Sequence, residues 1–211
     1  MTDDCPLTHT AIILSGGESK RFKEDKGLFH VLQRPLIAYI LDVIRPCVDD
    51  VMIVTSLDKV AEYSHAFPFV RVLADQCEVR APIAGAFTGF KNAVGDYSLL
   101  LPCDTPLVSR QVITLLQRLA PSHDAVIPRW PNGYIEPLQA IYRTAEAYRA
   151  SRESLAANEF KLGNLISRLK NVYFLSTEVI QQVDAGLLTF HNVNEFQDLD
   201  IILRLLKRRR P

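Results

Sequence analysis

The sequence predicts an α/β fold with a largely parallel sheet covered by helices on both faces, and three observations carry that prediction. Short, mostly apolar and partly β-branched runs recur at Ala11 to Leu14, Val51 to Val54, Phe69 to Leu73 and Tyr97 to Leu101. Segments with apolar residues at helical spacing separate them, most clearly Leu36, Ile37, Ile40, Leu41, Val43 and Ile44. Runs without polar alternation are strands buried on both faces, the condition a parallel sheet with crossover helices satisfies.

The elements follow in order. The first strand, Ala11 to Leu14, breaks at Ser15, Gly16 and Gly17. Gly27 to Val31 reads as a short extended piece, and Pro35 opens a helix that Pro46 ends. The second strand stops at Thr55 and Ser56, a short helix covers Lys59 to Ala66, and the third strand ends at Ala74 and Asp75. Ile83 to Val94 has helical character despite Gly85 and Gly89, and the fourth strand, Tyr97 to Leu101, leads into Pro102-Cys103-Asp104-Thr105-Pro106 and a helix from Leu107 to Leu119. Asp124 to Pro128 is a fifth strand, followed by a tight turn or hairpin at Trp130-Pro131-Asn132-Gly133. Glu136 to Tyr142, a helix through Arg149, a helix at Leu162 to Leu169, a strand at Val172 to Leu175 and a last helix from Phe196 to about Lys207 complete the chain. Asn194 is the expected cap of that last helix.

At 211 residues the chain has the length of one α/β domain, and residues 1–211 are expected to form one. Lysine plus arginine balances aspartate plus glutamate at 24 each, so overall charge gives no reason to expect nucleic acid or a membrane surface as partner. No run approaches a bilayer span and the first residues carry Asp3 and Asp4 instead of an apolar core, which predicts a soluble, cytoplasmic protein. Cys5, Cys47, Cys77 and Cys103 stand singly, so reduced thiols are expected and neither a zinc site nor a disulfide framework.

Two strand ends carry chemistry. After the first strand, two glycines let a ligand approach the backbone closely, so main-chain N–H groups can converge on an anion. Lys20, Arg21, Lys23 and Lys26 follow closely and suit a polyphosphate. The bland alternative is a basic surface loop, and neither G-x-x-x-x-G-K-[ST] nor G-x-G-x-x-G is present. After the fourth strand, Asp104 stands outside the carboxyl end of a strand the pattern makes central, where open parallel sheets bind ligands and where a carboxylate can hold a divalent cation. The competing reading is that Asp104 or Thr105 only caps the following helix, with Pro106 in its first turn.

The stretch from Leu14 to Lys26 resembles the signature of the molybdenum cofactor guanylyltransferase family, L-A-G-G-x-S-x-R-M-G-x-D-K, with Leu14, Gly16, Gly17, Ser19, Arg21, Asp25 and Lys26 at matching places. Ser15, Phe22 and Lys23 depart from it, where the family usually has Ala, Met and Gly. V-L-A-D at 72–75, A-P-I-A-G at 81–85, P-C-D-T-P at 102–106, E-P-L-Q-A-I-Y at 136–142 and H-N-V-N at 191–194 extend the likeness over nearly the whole chain.

The resemblance implies a three-layer αβα, Rossmann-like fold of the nucleotide-diphospho-sugar transferase kind, with the nucleotide in the N-terminal half and the acceptor in the C-terminal half. It implies transfer of GMP from GTP to the phosphate of molybdopterin, the molybdenum cofactor precursor, with release of pyrophosphate. Arg21 and Lys26 would bind the triphosphate and Asp104 a magnesium ion. Leu14, Ser15, Gly16, Gly17, Thr55, Asp75 and Gly85 would surround the nucleotide. In the family the place of Thr55 is often an asparagine and that of Ala81 a glycine. Glu136 and Arg129 would face the second substrate, and Lys161 its phosphate unless it is simply solvated. Molybdoenzymes or cofactor-insertion proteins would be the downstream partners. Two alternatives stay open: a relative using CTP or another phosphate acceptor, and a nucleotide- or cofactor-binding carrier without turnover. Cytidine-using relatives tend to show T-A-A-G where this chain has Leu14, Ser15, Gly16 and Gly17, which favours guanine.

Overall fold

The computed structural model describes residues 6–16, 25–77, 79–193 and 196–209. The expected residues Gly17, Ser19, Lys20, Arg21, Phe22, Lys23 and Asn194 lie outside them, as does Cys5. Of the cysteines within, Cys47, Cys77 and Cys103 are free thiols. No helix among the described residues is long and apolar enough to cross a membrane.

Strand β1 (His9–Ser15) leads to a two-residue ribbon, β2 (His30–Val31) and β3 (Arg34–Pro35), then helix α1 (Leu36–Ile44). Next come β4 (Asp50–Thr55), α2 (Val60–Ala66), β5 (Arg71–Ala74), α3 (Pro82–Asn92), β6 (Tyr97–Pro102) and α4 (Arg110–Leu119). The second half contains β7 (Ala125–Arg129), β8 (Ala140–Arg143), α5 (Thr144–Ala156), α6 (Leu162–Ser167), β9 (Val172–Ser176), α7 (Thr177–Ile180) and α8 (Phe196–Arg209).

Seven strands form one sheet in the order β5-β4-β1-β6-β8-β7-β9. It is parallel except at β8, which runs antiparallel to both β6 and β7. The chain steps outward from β1 to β4 and β5, then returns to β6 on the other side of β1. That reversal opens a crevice outside the carboxyl ends of β1 and β6, the place where such sheets bind ligands.

Alternation along β1 explains why both faces are covered. Ala11 and Ile13 enter one core with Ile37, Ile40 and Ile44 of α1 and Val112 and Leu116 of α4. Ile12 points the other way, into a second core with Phe90 of α3, Ala147 of α5 and Leu165 of α6. Gly89 permits the close seating of α3 on β1, since a Cβ there would lie 2.4 Å from Ile12 Cγ2. A third cluster joins Val31, Leu36, Leu107, Val193 and three α8 residues, Leu199, Ile202 and Leu206.

Two sequence expectations are corrected. The helix expected from Leu107 begins at Arg110, because Leu107 is drawn into the third cluster while its neighbour Val108 enters the first. Consecutive side chains committed to separate cores are incompatible with one amphipathic helical face. The third strand starts at Arg71, since Phe69 is exposed and Val70 closes a turn on the Phe67 carbonyl. The expected turn after the fifth strand is present, with Gly133 at φ +86° donating its N–H to the Trp130 carbonyl.

Candidate active site

The floor of the crevice is the row of strand ends. Ser15 pairs with Thr55 across β1 and β4, Leu14 with Pro102 across β1 and β6, and Thr55 with Ala74 across β4 and β5. Parallel register therefore brings Leu14, Ser15, Thr55, Asp75 and Asp104 to one edge although the sequence scatters them over ninety positions. Cys103 N–H donates to the Leu14 carbonyl at 3.1 Å, which fixes the start of the Asp104 loop against the start of the glycine turn.

Across this crevice Lys26 Nζ lies 3.2 Å from Asp104 Oδ2, with both side chains partly buried. The other oxygen, Asp104 Oδ1, is buried and has no hydrogen-bond partner among the described residues. A buried carboxylate oxygen left unbonded is costly unless something else satisfies it. Asp104 does not cap α4, whose first residue is Arg110 and whose preceding residue is Ser109. The capping explanation for this carboxylate is thereby removed.

The backbone behind Asp104 is held from far along the chain. Val193 N–H donates to the Asp104 carbonyl at 2.8 Å. Thr189 adds a second fastening, its hydroxyl accepting from Ser109 N–H at 2.9 Å while its carbonyl accepts from Gln139 Nε2 at 2.6 Å. Within the H-N-V-N stretch, Asn194 as a helix cap lies outside the described residues, and it is the amide of Val193 that meets the Asp104 backbone.

The remaining expected nucleotide residues fall around the same edge. Thr55 is buried and its hydroxyl donates to the Ser15 carbonyl at 2.6 Å, so it shapes the end of β1. Asp75 Oδ1 accepts from Thr88 Oγ1 and Cys77 N–H, each at 3.1 Å. Burial lifts the Asp75 carboxyl above its ordinary range, against the pull of those two donors. Gly85, in the first turn of α3, backs onto Leu14, and a Cβ there would lie 3.3 Å from Leu14 Cδ2 and 3.9 Å from Asp75 Oδ2. Gly16 has open space on the side where a Cβ would project. The Cys103 thiol is pushed up to about 12 by burial and by the neighbouring Asp104 charge, so it is a neutral wall group at neutral pH.

For a divalent cation, no cluster of three or more His, Cys, Asp or Glu ligands occurs among the described residues. Magnesium is commonly held by one or two carboxylates with substrate phosphates and water filling the shell, and Asp104 is a carboxylate at this edge. Asp104 Oδ1, without a partner among the described residues, is the oxygen left available to such an ion.

In the second half, Arg129, Trp130, Pro131, Gly133 and Ser176 line a cavity of about 190 Å³. Trp130 Nε1 donates to Glu136 Oε1 at 2.7 Å, and burial raises the Glu136 carboxyl despite that bond. The Arg129 guanidinium sits 5.2 Å from the Phe174 ring centre, on the neighbouring β9. Lys161 is exposed immediately before α6.

A switch-point crevice that sets a lysine against a carboxylate offers both signs of charge to a bound phosphate, an arrangement compatible with nucleotidyl transfer by positioned charge. The chain belongs to the family of the MobA-like NTP transferase domain, whose model matches residues 11–172. It is 33% identical over 196 residues to a Pyrococcus horikoshii protein named "Probable molybdenum cofactor guanylyltransferase", covering 91% of this chain and 97% of that one. Its fold is similar to that of molybdopterin-guanine dinucleotide biosynthesis protein A from Archaeoglobus fulgidus, with a TM-score of 0.80 at 23% identity, over 94% of this chain and 99% of that chain. The same fold, at a TM-score of 0.72 and 15% identity over 96% and 99% of the two chains, occurs in 4-diphosphocytidyl-2C-methyl-D-erythritol synthase from Anaerococcus prevotii.

Proposed function

We propose that the protein transfers GMP from GTP to the terminal phosphate of molybdopterin, releasing pyrophosphate and forming molybdopterin guanine dinucleotide. The observation that carries the reading is the Lys26–Asp104 pair at the switch point, 3.2 Å apart, with Asp104 Oδ1 unbonded among the described residues. The name borne by the Pyrococcus relative, matched over nearly its full length, supplies the substrates.

A phosphate oxygen of the acceptor attacks the α-phosphorus of GTP in line, a new phosphorus–oxygen bond forms, and the α–β anhydride breaks to release pyrophosphate. The acceptor phosphate is largely ionised near neutral pH, so positioning and charge stabilisation outweigh general-base help. Lys26 binds the triphosphate and its departing end, with Arg21 assigned the same role from the sequence. Asp104 would hold magnesium, which when bound would supply charge neutralisation at the phosphates. Leu14, Ser15, Gly16 and Gly17 present backbone to the nucleotide, with Thr55, Asp75 and Gly85 around base and ribose. No side chain forms a covalent intermediate, and the neutral Cys103 thiol beside Asp104 is no candidate for one.

We assign the nucleotide to the N-terminal half and the acceptor to the C-terminal half, where the Arg129–Trp130 cavity opens at the end of β7. The reaction is placed in the cytoplasm, with molybdoenzymes or cofactor-insertion proteins taking the product. A second reading, a cytidylyltransferase, draws on the fold shared with the Anaerococcus enzyme. Retention of both Lys26 and Asp104 speaks against a carrier without turnover.

The test is incubation of the purified chain with magnesium, GTP and molybdopterin, scored for pyrophosphate and for the dinucleotide by mass. Acceptor-dependent release of both is expected. Pyrophosphate formed at the same rate without acceptor, or no product at all, would refute the assignment.

A further inference from the structure

Tyr63 is the one buried side chain of α2, fully enclosed, and its ring packs beside Phe67 in the first core. Packing there requires the ring alone. Its hydroxyl nevertheless donates to Asp25 Oδ1 at 2.5 Å and shares a second hydrogen bond with Ser15 Oγ. The same Asp25 oxygen accepts from Gly27 N–H at 2.9 Å and from Leu28 N–H at 3.4 Å. One carboxylate oxygen thus gathers donors from a helix 38 residues away and from the two amides that follow Lys26.

The turn these bonds tie down is the one from which Lys26 departs. It is anchored on its far side by Ile37 N–H donating to the Gly27 carbonyl at 3.0 Å, and Phe29 N–H donates to the Lys26 carbonyl at 3.3 Å. Gly27 lies so close to the network that a Cβ would stand 2.2 Å from the Tyr63 hydroxyl and 2.8 Å from Ser15 Oγ. Backbone, hydroxyl and carboxylate are therefore in contact around a single point, next to a lysine whose Nζ faces Asp104 across the crevice.

We propose that Tyr63 is a positioning residue for Lys26: through Asp25 its hydroxyl fixes the 25–28 turn so that the lysine points at the phosphate site, and Ser15 sets the direction of that hydroxyl. The proposal rests on the reading of Lys26 and Asp104 as the triphosphate centre. It also gives Ser15 a use particular to this chain, because an alanine there would leave the Tyr63 oxygen with Asp25 alone. Tyr63 touches no reacting atom, and its effect passes entirely through the turn.

The test is a double-mutant cycle on Tyr63→Phe and Lys26→Met, read by calorimetric affinity for magnesium–GTP and by melting temperature. Tyr63→Phe is expected to stay folded and to bind magnesium–GTP roughly tenfold more weakly, whereas in the Lys26→Met background the same change should alter affinity less than about twofold. Its effect on melting temperature should be the same in both backgrounds, as for a local hydrogen bond in either protein. Should Tyr63→Phe fail to fold, Ser15→Ala replaces it in the same cycle, with a smaller loss of affinity that again disappears without Lys26. Unchanged affinity in Tyr63→Phe, or an equal loss in both backgrounds, overturns the proposal and leaves Tyr63 a core residue. A wild type that binds magnesium–CTP in preference to GTP overturns the guanylyl reading alone, and the cycle is then read with CTP. A wild type that binds neither overturns both.

Discussion

Lys26 Nζ and Asp104 Oδ2 meet at 3.2 Å from opposite sides of the switch-point crevice, although 78 residues separate them in the chain. Their strands, β1 and β6, run parallel and adjacent, so both loops leave at the same edge. An ion pair still partly open to solvent contributes little to folding. In the proposed reaction its consequence lies in function: the lysine is held at the carboxylate, and an incoming triphosphate would meet both signs of charge at once.

Asp104→Asn is the sharpest test of the cation role. Asparagine preserves size and can still accept a hydrogen bond, so the melting temperature should move little. Turnover should fall by about a hundredfold or more, because charge stabilisation at the phosphates is lost. Magnesium titration of the variant checks this: near-normal activity with an unchanged magnesium requirement would remove Asp104 from the metal site.

Lys26→Ala separates phosphate binding from loop structure. The side chain contributes little to stability, with an expected change within about 0.5 kcal/mol, while affinity for GTP should drop about tenfold or more through loss of a charge-assisted contact. Isothermal calorimetry with GTP and magnesium decides it, and unchanged affinity would return the stretch to a basic surface loop.

The parts of this site legible in the sequence are those with a local signature. The apolar run ending at Leu14 gives way to Ser15 and Gly16, and the one ending at Leu101 to Pro102, Cys103 and Asp104, so Gly16 and Asp104 could be placed just past strand ends without a structure. What joins them was less visible. The Val193 amide that holds the Asp104 carbonyl comes from 89 positions downstream, and a backbone donor leaves no trace in residue type. Tyr63 reads as one more apolar position on a short helix, since its ring follows the helical pattern and its hydroxyl does not. The start of α4 was misplaced because Pro106, Leu107 and Val108 have the local form of a helix entry, and only the two separate cores that claim Leu107 and Val108 draw them out of it. The antiparallel insertion of β8 was foreshadowed by the Trp130–Gly133 turn, but its place between β6 and β7 depends on long-range pairing.

Asp75 gives a prediction in pH. Burial holds its carboxyl above the ordinary aspartate value, so between that value and the raised one the native state binds more protons than the unfolded state. Stability contributed by this group therefore falls as pH rises from about 3.9, and the deficit persists at neutral pH, where both states are ionised. Asp75→Asn should raise the melting temperature at pH 7 relative to wild type and remove that part of the slope, while weakening nucleotide binding about tenfold if the carboxylate accepts a donor of the base or ribose. Melting curves across the acid range, paired with calorimetry at pH 7, read both effects.

Base choice tests the central claim most directly. A site that pairs several donors and acceptors of one base leaves buried polar groups unsatisfied by another, and each such loss compounds. In the proposed reading guanine would offer N1–H and N2–H₂ donors to backbone carbonyls in the glycine turn, where cytosine would present a smaller ring and a different edge. The decisive measurement is competition of GTP against CTP for magnesium-dependent transfer to molybdopterin, with both dinucleotide products quantified by mass. The account predicts a preference for GTP of at least roughly a hundredfold in kcat/KM. Comparable formation of the cytidine product would contradict it, establishing a cytidylyltransferase built on the same Lys26–Asp104 pair.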